Sequence, residues 1–167
     1  ASITSVEGSS TYWESNGCLS YKSARYLFGD MKTPEAVTIY TYGTTTSPVA
    51  LPASPAISAD VMDTDDNFWK VYDFTFIDGK PYDRSAFEAG LAEAVISESI
   101  ARRVFGSANV AGKELLINYV PYKVVGVVKD VSTLATGAYA TVWVPFTSTN
   151  IVSDGWNGDI MGSLAVT

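Results

Sequence analysis

Val95-Ile96-Ser97-Glu98-Ser99-Ile100-Ala101-Arg102-Arg103-Val104-Phe105-Gly106 is the stretch on which the fold reading turns. Ala94-Val95-Ile96 is apolar at consecutive positions, as a strand buried on both faces requires. Ser97 then caps a helix over Glu98–Phe105, because its hydroxyl can accept from a backbone N–H that has no intrahelical partner. Glu98 stands at the positive end of that helix, Arg102 and Arg103 at the negative end, and Gly106 supplies the left-handed stop. Ile100, Ala101, Val104 and Phe105 form its apolar stripe. A helix of about eight residues is too short to stand alone, so it must pack on a sheet.

The same reading extends in both directions. Toward the C-terminus, Lys113 to Asn118 and Tyr122 to Val131 form a strand pair turning near Tyr119-Val120-Pro121, and Ala140 to Phe146 and Gly162 to Thr167 are two further strands. Toward the N-terminus, Phe74 and Phe76 alternate before a turn at Asp78-Gly79. Thr64 caps a helix carrying Phe68, Val71 and Tyr72 on one face, and Ile57, Ala59 and Val61 alternate as a short strand. Gly43 to Pro55, with its prolines and small polar residues, reads as a linker or a crossing between lobes. Glu35 to Tyr42 is β-branched and aromatic, hence a strand. Leu19-Ser20 opens a helix whose Tyr21, Ala24, Leu27, Phe28 and Met31 share a face, and residues 1–8 alternate around Ile3 and Val6. The fold class is α+β, mostly strand with three short helices, and no internal repeat is visible.

Composition narrows the function. The chain has 167 residues, of which 47% are hydrophobic and 13% aromatic, enough to bury a real core. With 11 basic against 18 acidic residues and a formal charge of −7, it lacks the clustered Lys and Arg that nucleic acid requires. Histidine is absent, which removes the commonest general base and the commonest metal ligand together. Cys18 is the single cysteine, so no internal disulfide can form, and it reads as a small filler near a helix start. No run of about 18 apolar residues spans a bilayer. The chain starts at Ala1 without a basic, apolar leader, and reads as a segment excised from a longer protein.

Four groups of residues could carry chemistry, and each has a plainer reading. Asp60, Asp63, Asp65 and Asp66 are the densest acidic cluster, but the glycine and the twelfth-position glutamate of a calcium loop are missing. Asp65 and Asp66 fit a helix N-terminus instead. Gly106 to Lys113 has the outline of a phosphate loop, yet it follows a helix, its glycines are one residue too far apart, and Glu114 stands where Ser or Thr would hold magnesium. Glu88, Glu93 and Glu98 offer carboxylates for acid–base work but no positioned partner. Trp13, Trp69, Trp143 and Trp156 could line a groove, or simply fill the core and sheet faces.

The order of motifs carries more than any single site. Ile57-Ser58-Ala59-Asp60, then Asn67 to Phe74 (N-F-W-K-V-Y-D-F), then Gly79-Lys80 resembles the S-x-x-F-F-x-V-F-x-F…G-R pattern of MacB-like periplasmic core domains in FtsX/MacB-type ABC transporter permeases. Val95 to Gly106, Asn109 to Lys113, Tyr122 to Asp130 and the Pro-aromatic pair closing Tyr139 to Phe146 continue that resemblance in order, and residues 19–42 match more loosely. Val110 replaces the proline of the family's N-P-x-G-K. The resemblance implies a bipartite fold: a porter-like βαβ lobe from residues 1–45 and 131–167, and an inserted Sabre-like lobe over residues 46–130. The family continues beyond the strand at which this chain ends, so the porter-like lobe is expected to be incomplete.

By the same resemblance, the domain lies on the periplasmic side of the bacterial inner membrane and transmits ATP-driven conformational change to substrate export or to partner proteins. The alternative is an FtsX-like signalling permease that regulates a cell-wall hydrolase. Implied partners are a cytoplasmic ABC ATPase, a second permease copy or paired permease, and a periplasmic adaptor with an outer-membrane channel. No catalytic, cofactor-binding or metal-binding residue is assigned, and an enzyme is not expected.

Overall fold

The computed structural model describes residues 2–4, 12–14, 36–41, 43–135, 137–149 and 160–165. Its strands are β1 (Ser2–Thr4), β2 (Tyr12–Glu14), β3 (Ala36–Thr41), β4 (Thr45–Ala50), β5 (Ile57–Thr64), β6 (Phe76–Gly79), β7 (Glu93–Ser97), β8 (Glu114–Ile117), β9 (Val120–Val128), β10 (Val142–Pro145) and β11 (Ile160–Ala165). Its helices are α1 (Phe68–Val71), α2 (Arg84–Glu88) and α3 (Glu98–Phe105), with a 3₁₀ turn at Phe146–Ser148. The α+β, mostly strand reading with three short helices therefore holds. The helices are not the same three, however: the one expected after Ser20 lies outside the described residues, and α2 was not anticipated.

Pairing runs β1-β2-β11-β3-β5-β10-β7-β9-β8-β4, with β6 added to β9, and β4 returns to pair with β5. That last contact closes β5, β10, β7, β9, β8 and β4 into a ring, leaving no free edge within it. One buried cluster draws on all six ring strands: Val49, Val61, Ile96, Leu115, Val124 and Val142 are among its members, which marks it as the barrel interior. The period-two alternation sends neighbouring residues outward, so Met62, Val95 and Trp143 belong to a second cluster on the outer face. A small closed barrel of this kind has room only for side chains and is a packed core.

The β7–α3 unit forms as its sequence dictates. The Ser97 hydroxyl accepts from the Ile100 amide at 3.4 Å, Gly106 ends the helix at φ 76°, and Arg102 pairs with Glu98 at 2.8 Å. Ile100 and Ala101 are buried against the barrel interior, while Val104 and Phe105 pack on it partly exposed.

Three local expectations differ from the structure. Gly43–Pro55 contains β4, which runs antiparallel to β5 from Thr45↔Val61 to Val49↔Ile57. Pro48 is tolerated there because its carbonyl faces Asn118, accepting that amide at 2.8 Å; its missing N–H lies on the same side and interrupts no bond to β5. The β8–β9 turn falls at Asn118-Tyr119, with Ile117 opposite Val120. Pro121 sits in β9 opposite Leu116, a non-hydrogen-bonded position that needs no N–H toward β8. Finally, β5 runs on to Thr64, so Thr64 does not cap α1.

Asn118 (φ 48°) and Tyr119 (φ 65°) both adopt left-handed backbone, as a two-residue hairpin turn of the primed kind requires. Asparagine accepts that conformation readily, whereas a bulky tyrosine does so at a cost of about 1–2 kcal/mol. Tyr119 is 77% exposed and recovers little by packing. Tyr119→Gly is therefore expected to raise stability by up to about 1 kcal/mol in chemical denaturation, after the larger unfolded-state freedom of glycine is allowed for. Unchanged or lower stability would mean that the tyrosine ring contributes packing here.

Candidate functional site

The described contacts between β3 and the barrel gather at the C-terminal end of β5. The β3–β5 ladder contains a single aligned pair, Tyr40↔Thr64. Side chains reinforce it. The Asp65 carboxylate accepts from the Thr38 hydroxyl at 2.6 Å and the Ile39 amide at 2.9 Å on β3, and from the Phe68 amide at 3.0 Å at the start of α1. The Asp65 amide returns a bond to the Ile39 carbonyl at 3.0 Å, and the Asp63 amide donates to the Thr41 hydroxyl at 3.2 Å. Asp65 thus holds the strand, the barrel end and the helix start at one point. Its carboxyl is pushed up to about 6 by burial, against the Thr38 and backbone hydrogen bonds that favour the anion.

An aromatic layer surrounds this joint on the outer face of the barrel. Tyr40 of β3 meets the Phe68 ring edge-on at 5.8 Å, Trp69 meets Trp143 of β10 at 6.0 Å, and Phe74 meets Trp143 at 5.3 Å. Such edge-to-face pairs add about 0.5–1.5 kcal/mol each beyond the area they bury. Gly137 (φ 81°) comes so close that a Cβ there would lie 2.7 Å from the Tyr40 hydroxyl and 3.0 Å from that of Tyr72. Tyr82, fully buried beneath the layer, hydrogen-bonds Thr64, and burial drives its hydroxyl far above the usual phenol range.

The residues singled out from sequence are dispersed across this frame. Asp60 points outward and takes hydrogen bonds at 3.4 Å from both Thr46 and Tyr139, while Asp63 faces the barrel interior and Asp65 the joint. Among the described residues no three His, Cys, Asp or Glu side chains converge. Gly106–Lys113 is the helix stop and the approach to β8: Val110 is fully buried, and Lys113 lies 5.7 Å over the Phe105 ring. Glu88 and Glu98 pair with Arg84 and Arg102 on their own helices. Glu93 faces an open groove of about 630 Å³ beside α2, together with Lys80, Asp83, Leu91 and Lys123; burial raises its carboxyl, with Lys123 opposing. Trp143 is fully buried and Trp69 partly so; the side chains of Trp13 and Trp156 lie outside the described residues.

A profile of the MacB-like periplasmic core domain matches residues 5–167. The chain belongs to this family. Among curated relatives it is 31% identical to a macrolide export ATP-binding/permease protein MacB of Burkholderia cenocepacia over 94 residues, which is 55% of this chain and 14% of that protein. To MacB of Pasteurella multocida it is 26% identical over 90 residues, 54% of this chain and 14% of the relative. The chain thus covers a small part of the proteins it matches. The periplasmic region of MacB from Actinobacillus actinomycetemcomitans superposes with a TM-score of 0.72 at 17% identity, covering 93% of this chain and 66% of that one. The extracellular domain of the noncanonic ABC-type transporter YknZ from Gram-positive bacteria gives 0.66 at 16% identity, covering 95% and 81%. This is a family of transporter domains outside the cytoplasm and not an enzyme family. No helix among the described residues is long and apolar enough to cross a membrane.

Thr38, Tyr82 and Tyr122, which the fold brings to the joint and the barrel end, carry no local signal in the sequence. Only Asp65 had a local signal, standing three residues before Phe68 as an N-terminal acceptor does. Asp65→Ala would leave the Thr38, Ile39 and Phe68 donors buried without an acceptor. It is expected to cost about 2–4 kcal/mol in chemical denaturation, and a loss below about 0.5 kcal/mol would show that the joint does not depend on this carboxylate.

Proposed function

We propose that this domain transmits ATP-driven conformational change in an ABC transporter permease to the export of a substrate. The observation that carries the reading is the contrast between a closed barrel and its narrow attachment. Every strand of the ring is paired on both sides, whereas its described link to the β3–β11 pair is one ladder position with the Asp65, Tyr40 and Asp63–Thr41 contacts around it. A stiff body on a small joint is the layout of hinge motion. Membership in the MacB-like family supports placing the domain on the periplasmic face of the bacterial inner membrane. The ATP-binding/permease relatives support an ABC ATPase as partner, fused or separate.

On this reading the porter-like lobe contains β3 and β11 and the Sabre-like lobe contains the barrel. β10, although it follows the expected return at residue 131, lies between β5 and β7 in the ring. A periplasmic adaptor with an outer-membrane channel, and a second permease copy, are the partners such a lever would act on.

A disulfide engineered between the β3–β11 pair and the barrel, in a Cys18→Ser background of the full-length permease, tests the reading. Oxidation is expected to abolish transport while leaving expression and ATP binding intact, and reduction to restore it. Normal transport by the oxidised, locked protein would contradict a lever and favour passive docking.

A further inference from the structure

After Ile57, the interior-facing positions of β5 are Ala59, Val61 and then Asp63. The first two belong to the apolar core; the third places a carboxyl group at the mouth of the barrel. It lies beside Val144 of β10, is 8% exposed, and its Oδ1 has no hydrogen-bond partner among the described residues. A buried acceptor left in this state is costly, and more so when it is charged.

The groups around the mouth come from several elements. Tyr122 at the start of β9 directs its hydroxyl to the Ser148 carbonyl at 3.3 Å and the Ser148 hydroxyl at 3.2 Å; burial, joined by the charge of Asp63, pushes its phenol above the usual range, with the Ser148 hydrogen bond opposing. The Thr149 hydroxyl donates to the Phe146 carbonyl at 2.9 Å at the end of the 3₁₀ turn and favours the Asp63 anion, and Thr41 of β3 accepts the Asp63 amide. Tyr82 senses both Asp63 and Asp65. No lysine or arginine among the described residues acts on the Asp63 carboxyl.

We propose that Asp63 is a proton-operated latch on the barrel mouth: as a neutral acid it lets the 3₁₀ turn Phe146–Ser148 close over the barrel, and as a carboxylate it loosens that turn. Protonation removes a buried charge that no cation among the described residues offsets and converts one carboxyl oxygen into a donor. Ionisation places a charge in a buried site where Oδ1 has no described donor and Thr149 offers the one hydroxyl that favours the anion, so opening of the turn to admit water stabilises it further. The turn follows directly on β10, so the latch acts at the C-terminal end of a ring strand. This goes beyond the transport reading and does not require it.

Burial pushes the Asp63 carboxyl from an ordinary value of 3.8 up to about 6, with the Thr149 hydrogen bond opposing. For a group raised on folding, the stabilisation is fully present below the ordinary value and is lost as pH rises through about 6. The reporter is the Thr149 amide, whose 3.2 Å bond to the Phe146 carbonyl closes the turn. Its hydrogen-exchange protection, corrected for intrinsic rates, is expected to fall at least about threefold, and at most about tenfold, between about pH 5 and about pH 7.5. In Asp63→Asn the fall should vanish. Carboxyl-carbon NMR of the unaltered protein should give Asp63 a midpoint near about 6. Constant Thr149 protection, a fall that persists in Asp63→Asn, or an Asp63 midpoint near about 4 would each overturn the latch.

Discussion

One carboxylate, that of Asp65, bonds to β3, follows directly on the barrel strand β5, and caps α1. Its value lies in what it satisfies: two donors on β3 and the first amide of a helix too short to persist unaided. The aromatic layer of Tyr40, Phe68, Trp69 and Trp143 can form only once those elements are held in place. The cost is a carboxylate buried with no cation acting on it among the described residues, which is why its pKa is pushed upward while its hydrogen bonds pull the other way.

Ring closure supplies the contrasting element. An open sheet of this length would expose the backbone of β4, but the β4–β5 pairing removes that edge and encloses the apolar interior. Stability is therefore unevenly distributed: ring strands have two neighbours each and a common core, while β3 meets the ring through a short contact. Uneven stability of this kind lets one part of a domain move as a unit against another.

Signals that depend on neighbours in sequence were legible. Ser97, the apolar pair Ile100-Ala101 and Gly106 specified α3, and β3, β7 and β10 followed from their apolar runs. Signals that depend on distant partners were not. β4 was obscured because Pro48 and its small polar neighbours look like a linker until Asn118 is seen facing that carbonyl. α2 has Asp83 as a clear cap, accepting from the Ala86 amide at 2.8 Å, but its five residues carry too little periodicity to stand out. The aspartates of 60–66 looked like one cluster, and strand alternation sends them to different faces. Tyr122 and Ser148 meet only through barrel closure, which no local pattern announces.

Native-state hydrogen exchange tests the central claim, that the barrel is one stable body and the β3 joint a separately opening one. The amide of Ile39, bonded to Asp65, reports the joint, and those of Ile96 and Val127 report the ring. The account predicts that Ile39 exchanges through an opening at least about 2 kcal/mol less costly than the one that frees Ile96 and Val127. Equal opening free energies for all three would mean that joint and barrel unfold as a single unit, and would contradict it.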